Sequence, residues 1–307
     1  VANMRPQALA RLGLDPETLR ARHPGLIYCL LTGYGTDGPY AGLPTYDSVV
    51  QAATGMAGLS LERDGTPRYV PLLICDHVVG EIAAGAILAT ILEQRASGNG
   101  RTLEIPMFET MAGFVLQEHL AAHSFDPPVG PAGDRRLLSP DNAPVATKDG
   151  YIAFTVNTDA QVRAFLRVTG RGALADDPRF ATVATRAENV KAWFAVRGAP
   201  LPDRTTNDWL ATLRAADLAA MPVHTLETLQ TDPHLRAVEL TTHEDHPTEG
   251  RVAVVRSALR VDGGRLDPRT PAAPRGWDTR TVLADAGFDL EAIEDLLTEG
   301  AAHDARP

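Results

Sequence analysis

Between Tyr69 and Arg101 the chain reads YVPLLICDHVVGEIAAGAILATILEQRASGNGR, and a single carboxylate sits where its pattern changes. Val70, Leu72, Leu73, Ile74 and Cys75 read as a buried strand that ends at Asp76. From His77 the spacing turns helical, with Ile82, Ile87, Leu88, Ile91 and Leu92 as the larger apolar residues. Gly80, Ala83, Ala84, Gly85, Ala86 and Ala89 fill much of the rest, and small side chains let another backbone come close. An aspartate at the mouth of a helix faces several unpaired N–H groups. Two roles are open to it. It can cap the helix, or it can attack an activated acyl group to give a mixed anhydride while backbone amides hold the oxyanion.

The surrounding elements predict an α/β chain. Asp15-Pro16-Glu17 supplies a cap, a first-turn proline and a first-turn acid for a helix to about His23. Leu26 to Leu31 reads as a buried strand, followed by a Gly/Pro-dense loop from Thr32 to Asp47. Loops of this kind carry ligands in α/β proteins. A short helix over Ser48 to Met56, a polar turn over Glu62 to Thr66, a strand over Thr102 to Pro106 and a helix from Phe108 to about Phe125 follow. After a Pro/Gly-rich linker, Asp126 to Pro144, a strand is expected over Ile152 to Val156 and then mostly helix. Short strands are expected between Ala237 and Val261, and a helical pair over Trp277 to Glu299, broken at Gly287. Strands alternating with helices favour a parallel sheet.

Composition excludes several classes. A net charge of −10 with no basic run argues against nucleic acid and against an anionic membrane surface. Glu81 and the glycines are taken to interrupt the best candidate for a bilayer span. Cys29 and Cys75 suit a reducing compartment, so a cytoplasmic location is expected. Lysine occurs only at Lys148 and Lys191, which leaves carboxylate recognition to arginine, with Arg135, Arg136 and Arg186 as candidates. The opening Val-Ala-Asn-Met reads like the interior of a protein, so a preceding segment is expected.

Other constellations are weaker. His119 and His123 lack the order of a zinc protease motif, and His243-Glu244-Asp245-His246 lacks a third fixed ligand. No metal is expected. Cys75 reads as a buried, unreactive thiol. The acids from Asp285 to Glu299 read as a solvated helix face.

The stretch from Asn3 to Leu59, the residues around Asp76, and RASGNGRTLEIPMFETM together resemble the class III CoA-transferases, the CaiB/BaiF type that includes formyl-CoA and carnitine CoA-transferases. NAPVATKDGYIAF, DDPRF and DPHLRA extend the resemblance over nearly the whole chain. By position, Asp76 matches the family's catalytic aspartate, and Asn3, Arg11, Leu12 and Tyr46 match CoA-contacting positions. Asp47 matches an acidic neighbour of the active site, and the Gly33 and Tyr34 amides are candidates to stabilise oxyanions. Met4 replaces an aromatic, Pro44 stands where some members carry lysine, and no glycine-rich lid lies between Pro131 and Ala143, which argues against oxalate/formate specificity.

The resemblance implies a Rossmann-like parallel-sheet large domain over 1–135 that binds CoA, a smaller α+β domain over 136–235, and a return segment over 236–307. It implies an interlocked homodimer, acyl-CoA and a small carboxylic acid as substrates, and no tightly bound cofactor. The expected activity is transfer of CoA from an acyl-CoA to a carboxylic acid through aspartyl anhydride and aspartyl-CoA thioester intermediates. One alternative is epimerisation of the α-methylacyl-CoA racemase kind. It requires a proton-shuttling histidine where this chain has Tyr46, a poor base near neutrality. A second alternative is a truncated, non-catalytic member.

Overall fold

The computed structural model of the chain covers residues 1–266 and 272–306 and divides into two compact units, Val1–Pro222 and Val223–Pro307. The expected return segment, 236–307, includes 267–271 and Pro307, which lie outside the described residues.

The first unit opens with α1 (Pro6–Arg11) and α2 (Pro16–Arg22). Asp15 starts α2 as its sequence predicts, with its carboxylate accepting the Thr18 N–H and hydroxyl, both at 2.8 Å. Next come β1 (Tyr28–Thr32), α3 (Asp47–Ala53), α4 (Leu61–Asp64), α5 (Ile74–Ser97), β2 (Thr102–Pro106) and α6 (Met107–His119). The polar turn expected over Glu62 to Thr66 is thus one turn of helix stopped by Gly65, whose φ of 72° is a left-handed C-cap. β1 and β2 pair in parallel, Tyr28 with Thr102 through Thr32 with Pro106, and Ala2 bridges Leu30 on the other side of β1. Parallel neighbours need a long crossover; here α3, α4 and α5 lie within it. Cys29, Val50, Cys75, Val79, Ala83, Ile105, Met111 and Val115 form the core between this pair and the helices.

The strand expected over Val70 to Cys75 does not form. Residues 69–73 run as irregular backbone, and α5 starts at Ile74. Pro71 interrupts any ladder, and the buried Gln51 side chain takes the place of a neighbouring strand. Its Oε1 accepts the Val70 N–H at 2.8 Å, and its Nε2 donates to the Val70 and Leu72 carbonyls at 3.3 and 3.2 Å.

α5 is 24 residues long and apolar enough, by length and composition, to cross a membrane, so Glu81 and the glycines do not interrupt it as expected. Only Cys75, Val79, Ala83 and Thr90 are buried along it, while Leu88 and Leu92 are 63% and 67% exposed.

The second core of this unit lies beyond the linker. The sheet β3 (Val145–Ala146), β4 (Tyr151–Thr155) and β5 (Ala219–Pro222) is antiparallel, with β4 in the middle. Between β4 and β5 come α7 (Asp159–Val168), α8 (Val183–Glu188), α9 (Val190–Gly198) and α10 (Thr206–Ala215). Ile152, Phe165, Leu166, Phe180, Trp193, Leu201, Trp209 and Leu213 interlock here. Phe154 stacks on Phe165 at 5.2 Å, and the Trp209 indole N–H donates to the Leu201 carbonyl at 2.8 Å.

The second unit holds α11 (Leu226–Gln230), α12 (Pro233–Ala237), the hairpins β6 (Thr241–His246) with β7 (Gly250–Val255) and β8 (Arg260–Val261) with β9 (Gly264–Arg265), then α13 (Thr279–Asp285) and α14 (Leu290–Thr298). Gly287 separates the last two helices with a φ of 94°, as the sequence predicts.

Gly100 joins α5 to β2 under a tight constraint. A Cβ there would lie 2.0 Å from the Leu26 carbonyl oxygen and 2.6 Å from its carbon, and backbone cannot swing aside as a side chain can. Gly100→Ala is expected to destabilise the chain by about 2–3 kcal/mol, read as a lower urea midpoint. A midpoint equal to wild type would show that the Leu26–Gly100 approach is not a constraint.

Candidate active site

The N-terminus of α5 is capped by another helix. Asp47, in the first turn of α3, is buried at 5% exposure. Its Oδ2 accepts the Cys75 N–H at 2.7 Å and the Asp76 N–H at 3.2 Å, and its Oδ1 accepts from Gln51 Nε2 at 2.7 Å. The N-cap residue of α5 is Leu73, with no side-chain cap of its own. Asp76 therefore lies inside the first turn rather than at the cap, and the capping role open to it in the sequence belongs to Asp47. The Asp76 side chain is exposed and accepts no hydrogen bond from the described residues.

An open pocket of about 560 Å³ lies over this carboxylate. Tyr46, Tyr69, Leu72 and Leu73 supply most of its apolar wall, and Asp47, Gln51 and Asp76 its polar floor. Tyr46 stands at the N-terminal boundary of α3 with 78% of its surface exposed. Cys75 is fully buried. Burial first, then the Asp47 and Asp76 charges, push its thiol up to about 11, so it remains protonated and unreactive at neutral pH.

Asp47 also occupies two of the amides that an oxyanion at the start of α5 would use. Among the described residues, the Ile74 and Tyr34 N–H groups make no hydrogen bond. Tyr34 sits in the loop after β1, which two glutamates hold from β2 and α6. Glu109 accepts the Gly35 N–H at 2.8 Å, and Glu104 accepts the Thr36 N–H and hydroxyl, both at 2.8 Å. Tyr34, Tyr40 and Phe108 pack edge-on and tilted at 5.3 to 6.1 Å and fix the loop from its apolar side.

The candidate residues fall into two groups. Asn3 and Arg11 line a pocket of about 580 Å³ beside α1, and Asn3 shares an adjoining 50 Å³ cleft with Gly33 and Tyr34. Tyr46, Asp47 and Asp76 form the other group. Gly33 joins them: a Cβ on it would lie 2.0 Å from the Thr45 methyl, so the loop touches the residue just before Tyr46. Leu12, 61% exposed, lines neither pocket. Gln51, Glu104 and Glu109 lie within the stretches that carry the family resemblance, but the sequence does not single them out as site residues. Locally they read as an acid in the strand TLEIP, an acid in the helix start MFET and an amide one helical turn after Asp47.

Arg186 does not reach any of these pockets. It is buried against Asp159 at 2.6 Å and the Phe180 carbonyl at 2.7 Å, so it is structural. Arg136 is exposed and 3.9 Å from Asp134. Among the described residues no group of three His, Cys, Asp or Glu side chains is placed to hold a metal. The β6 run splits His243 and Asp245 from Glu244 and His246 by strand alternation, and His246 Nε2 lies 2.7 Å from the Ala272 carbonyl oxygen.

An exposed first-turn aspartate, relieved of capping and lining an open pocket with Tyr46, is a carboxylate free of structural bonds. The model of CoA-transferase family III matches residues 1–279, and the chain belongs to that family and is a CoA-transferase. It is 28% identical over 299 residues to the succinate–glutarate CoA-transferase of Agrobacterium fabrum, covering 97% of this chain and 74% of that protein. It is 29% identical over 291 residues to the probable fatty acyl-CoA transferase Rv3272 of Mycobacterium tuberculosis, covering 91% and 73%. The orthorhombic form of Rv3272 superimposes with a TM-score of 0.74 at 27% identity over 89% of this chain and 74% of that one. A CAIB/BAIF family protein from Brucella suis gives a TM-score of 0.71 at 27% identity, covering 92% and 74%.

Asp47→Ala removes the acceptor for two α5 amides and for Gln51. It is expected to cost about 2 kcal/mol, a cap plus an unsatisfied buried amide, whereas Asp47→Asn keeps an acceptor oxygen and loses less. Urea unfolding of the two variants checks the order; equal stability of Asp47→Ala and wild type would remove Asp47 from this role.

Proposed function

We propose that the chain transfers CoA from an acyl-CoA to a small carboxylic acid, with Asp76 as the covalent carrier. Asp76 attacks the thioester carbonyl and expels CoA thiolate, leaving an aspartyl-acyl anhydride. The thiolate then attacks the aspartyl carbonyl, which frees the donor acid and leaves an aspartyl-CoA thioester. The acceptor carboxylate attacks that thioester and again expels thiolate. Attack of the thiolate on the acyl carbonyl of the new anhydride releases the product thioester and restores Asp76. The observation that carries this reading is the delegation of the helix cap to Asp47, which leaves the exposed Asp76 carboxylate without a structural duty.

Asn3 and Arg11 are assigned to the nucleotide end of CoA, on the strength of their shared pocket and of arginine's fit to phosphate. Tyr46 is assigned to the thiol end, beside Asp76. The Gly33 and Tyr34 amides are assigned as oxyanion donors, supported by the Tyr34 N–H having no partner among the described residues. Leu12 is a CoA contact on the family resemblance alone. The parallel β1–β2 pair supports a Rossmann-like large domain and the antiparallel β3–β4–β5 sheet with its helices a smaller one. Two reduced cysteines support a cytoplasmic location.

Asp76→Ala is expected to lower turnover by at least ~10³-fold, since the covalent route is lost, with a mass adduct on Asp76 trapped in the wild type. Undiminished turnover in the variant rules the carrier role out, and α-deuterium uptake without an acceptor acid reassigns the chain to epimerisation.

The assembly proposed is an interlocked homodimer. Apolar side chains exposed along α5 (Ile82, Leu88, Leu92) and α6 (Phe114, Leu116) support it, because a helix apolar on several faces is ordinarily covered. Sedimentation is expected to give twice the chain mass; a monomer at micromolar concentration would refute the assembly.

A further inference from the structure

Beside the second core of the first unit lies a half-buried arginine that no carboxylate among the described residues neutralises. Arg197 lies in α9, with its guanidinium centre 4.7 Å from the Phe154 ring centroid and 5.0 Å from that of Phe194. One Nη donates to the Phe154 carbonyl at 2.7 Å, and Nε is buried with no partner. Among the described residues no carboxylate pairs with it. Arg186, the fully buried arginine of this core, is paired with Asp159 at 2.6 Å. The contrast is informative because a cation drawn even partly out of water is costly unless paired. Burial lowers the Arg197 pKa to about 10, so it is still charged at neutral pH.

A purely structural role accounts for only part of this. β3 pairs with β4 no further than Val145 with Ile152, and Pro144 has no N–H to extend the ladder. Arg197 serves a carbonyl beyond that point. One neutral donor would serve it equally well, and the hydrogen bond to a carbonyl leaves the positive charge uncompensated.

The same guanidinium borders a cavity of about 590 Å³. Arg136, Asn142 and Asn157 add polar groups, Phe194 and Met221 add apolar wall, and no aspartate or glutamate lines it. Arg136 is paired with Asp134 at 3.9 Å, so Arg197 is the cation at this cavity that no carboxylate among the described residues neutralises, and in a chain of net charge −10 it selects for an anion. We propose that this cavity binds a small monocarboxylate with an aromatic or branched apolar tail, its carboxylate against Arg197 and its tail against Phe194 and Met221. The single uncompensated cation matches one negative charge, and the apolar wall penalises a phosphate dianion. The site is distinct from the pocket over Asp76 and does not depend on CoA transfer.

The test titrates the full chain with phenylacetate and with its neutral counterpart phenylacetamide, by calorimetry and by NMR of the Met221 methyl. Phenylacetate is expected to shift the Met221 signal and to bind at least ~10-fold more tightly than the amide, the usual worth of one charge-assisted hydrogen bond. Arg197→Gln is expected to abolish that preference. Ala219→Phe, which leaves Arg197 intact and fills the cavity from an exposed strand position, is expected to abolish binding of both and decides the matter if Arg197→Gln does not fold. Equal binding of acid and amide, retained binding in Ala219→Phe, or shifts confined to Tyr46 and Tyr69 would overturn the proposal. Displacement by inorganic phosphate at equal concentration would overturn the monocarboxylate assignment.

Discussion

The buried carboxylate of Asp47 is the contact on which the site is organised. Both of its oxygens are used, one by Gln51 and the other by two amides of α5. Among the described residues no lysine or arginine pairs with it; N–H donors and the positive end of the α5 dipole face it instead. This one group fixes α3 against the start of α5, positions Gln51 to hold residues 69–73, and leaves Asp76 pointing outward. Two adjacent acids thereby take opposite roles. Asp47 is buried with both oxygens bonded, while Asp76 is exposed and accepts no hydrogen bond among the described residues.

The scaffold around that contact is modest. Two parallel strands, with Ala2 bridging one of them, position the loop from Gly33 to Thr45. Glu104 and Glu109, on β2 and α6, return hydrogen bonds to the loop's amides. The second core is built differently, from an antiparallel sheet and helices closed by large aromatic residues. In the first core the largest buried side chains are methionine and isoleucine, with no aromatic residue among them.

Much of this was legible in the residues themselves. The Asp15 cap, the strand Thr102–Pro106 and the terminal helices with their Gly287 break follow local rules that tertiary contacts do not override. Asp76 was legible as a candidate, but its two roles were not separable, because the alternative cap comes from a residue 29 positions earlier. The run from Val70 to Cys75 misleads because a short apolar stretch suits a strand or the first turn of a helix. The deciding partner, Gln51, is an unremarkable amide in the sequence. Arg197 is equally silent, since the lack of a counter-ion is a property of the packed core.

Gln51 has a consequence for how the pocket can vary. The wall formed by Tyr69 to Leu73 hangs from one side-chain amide rather than from a ladder of strands. Residues there can exchange bulk for polarity without shifting the register of any sheet, since no sheet runs through them. Substitutions at this wall can reshape the pocket while Asp76 stays where Asp47 holds it.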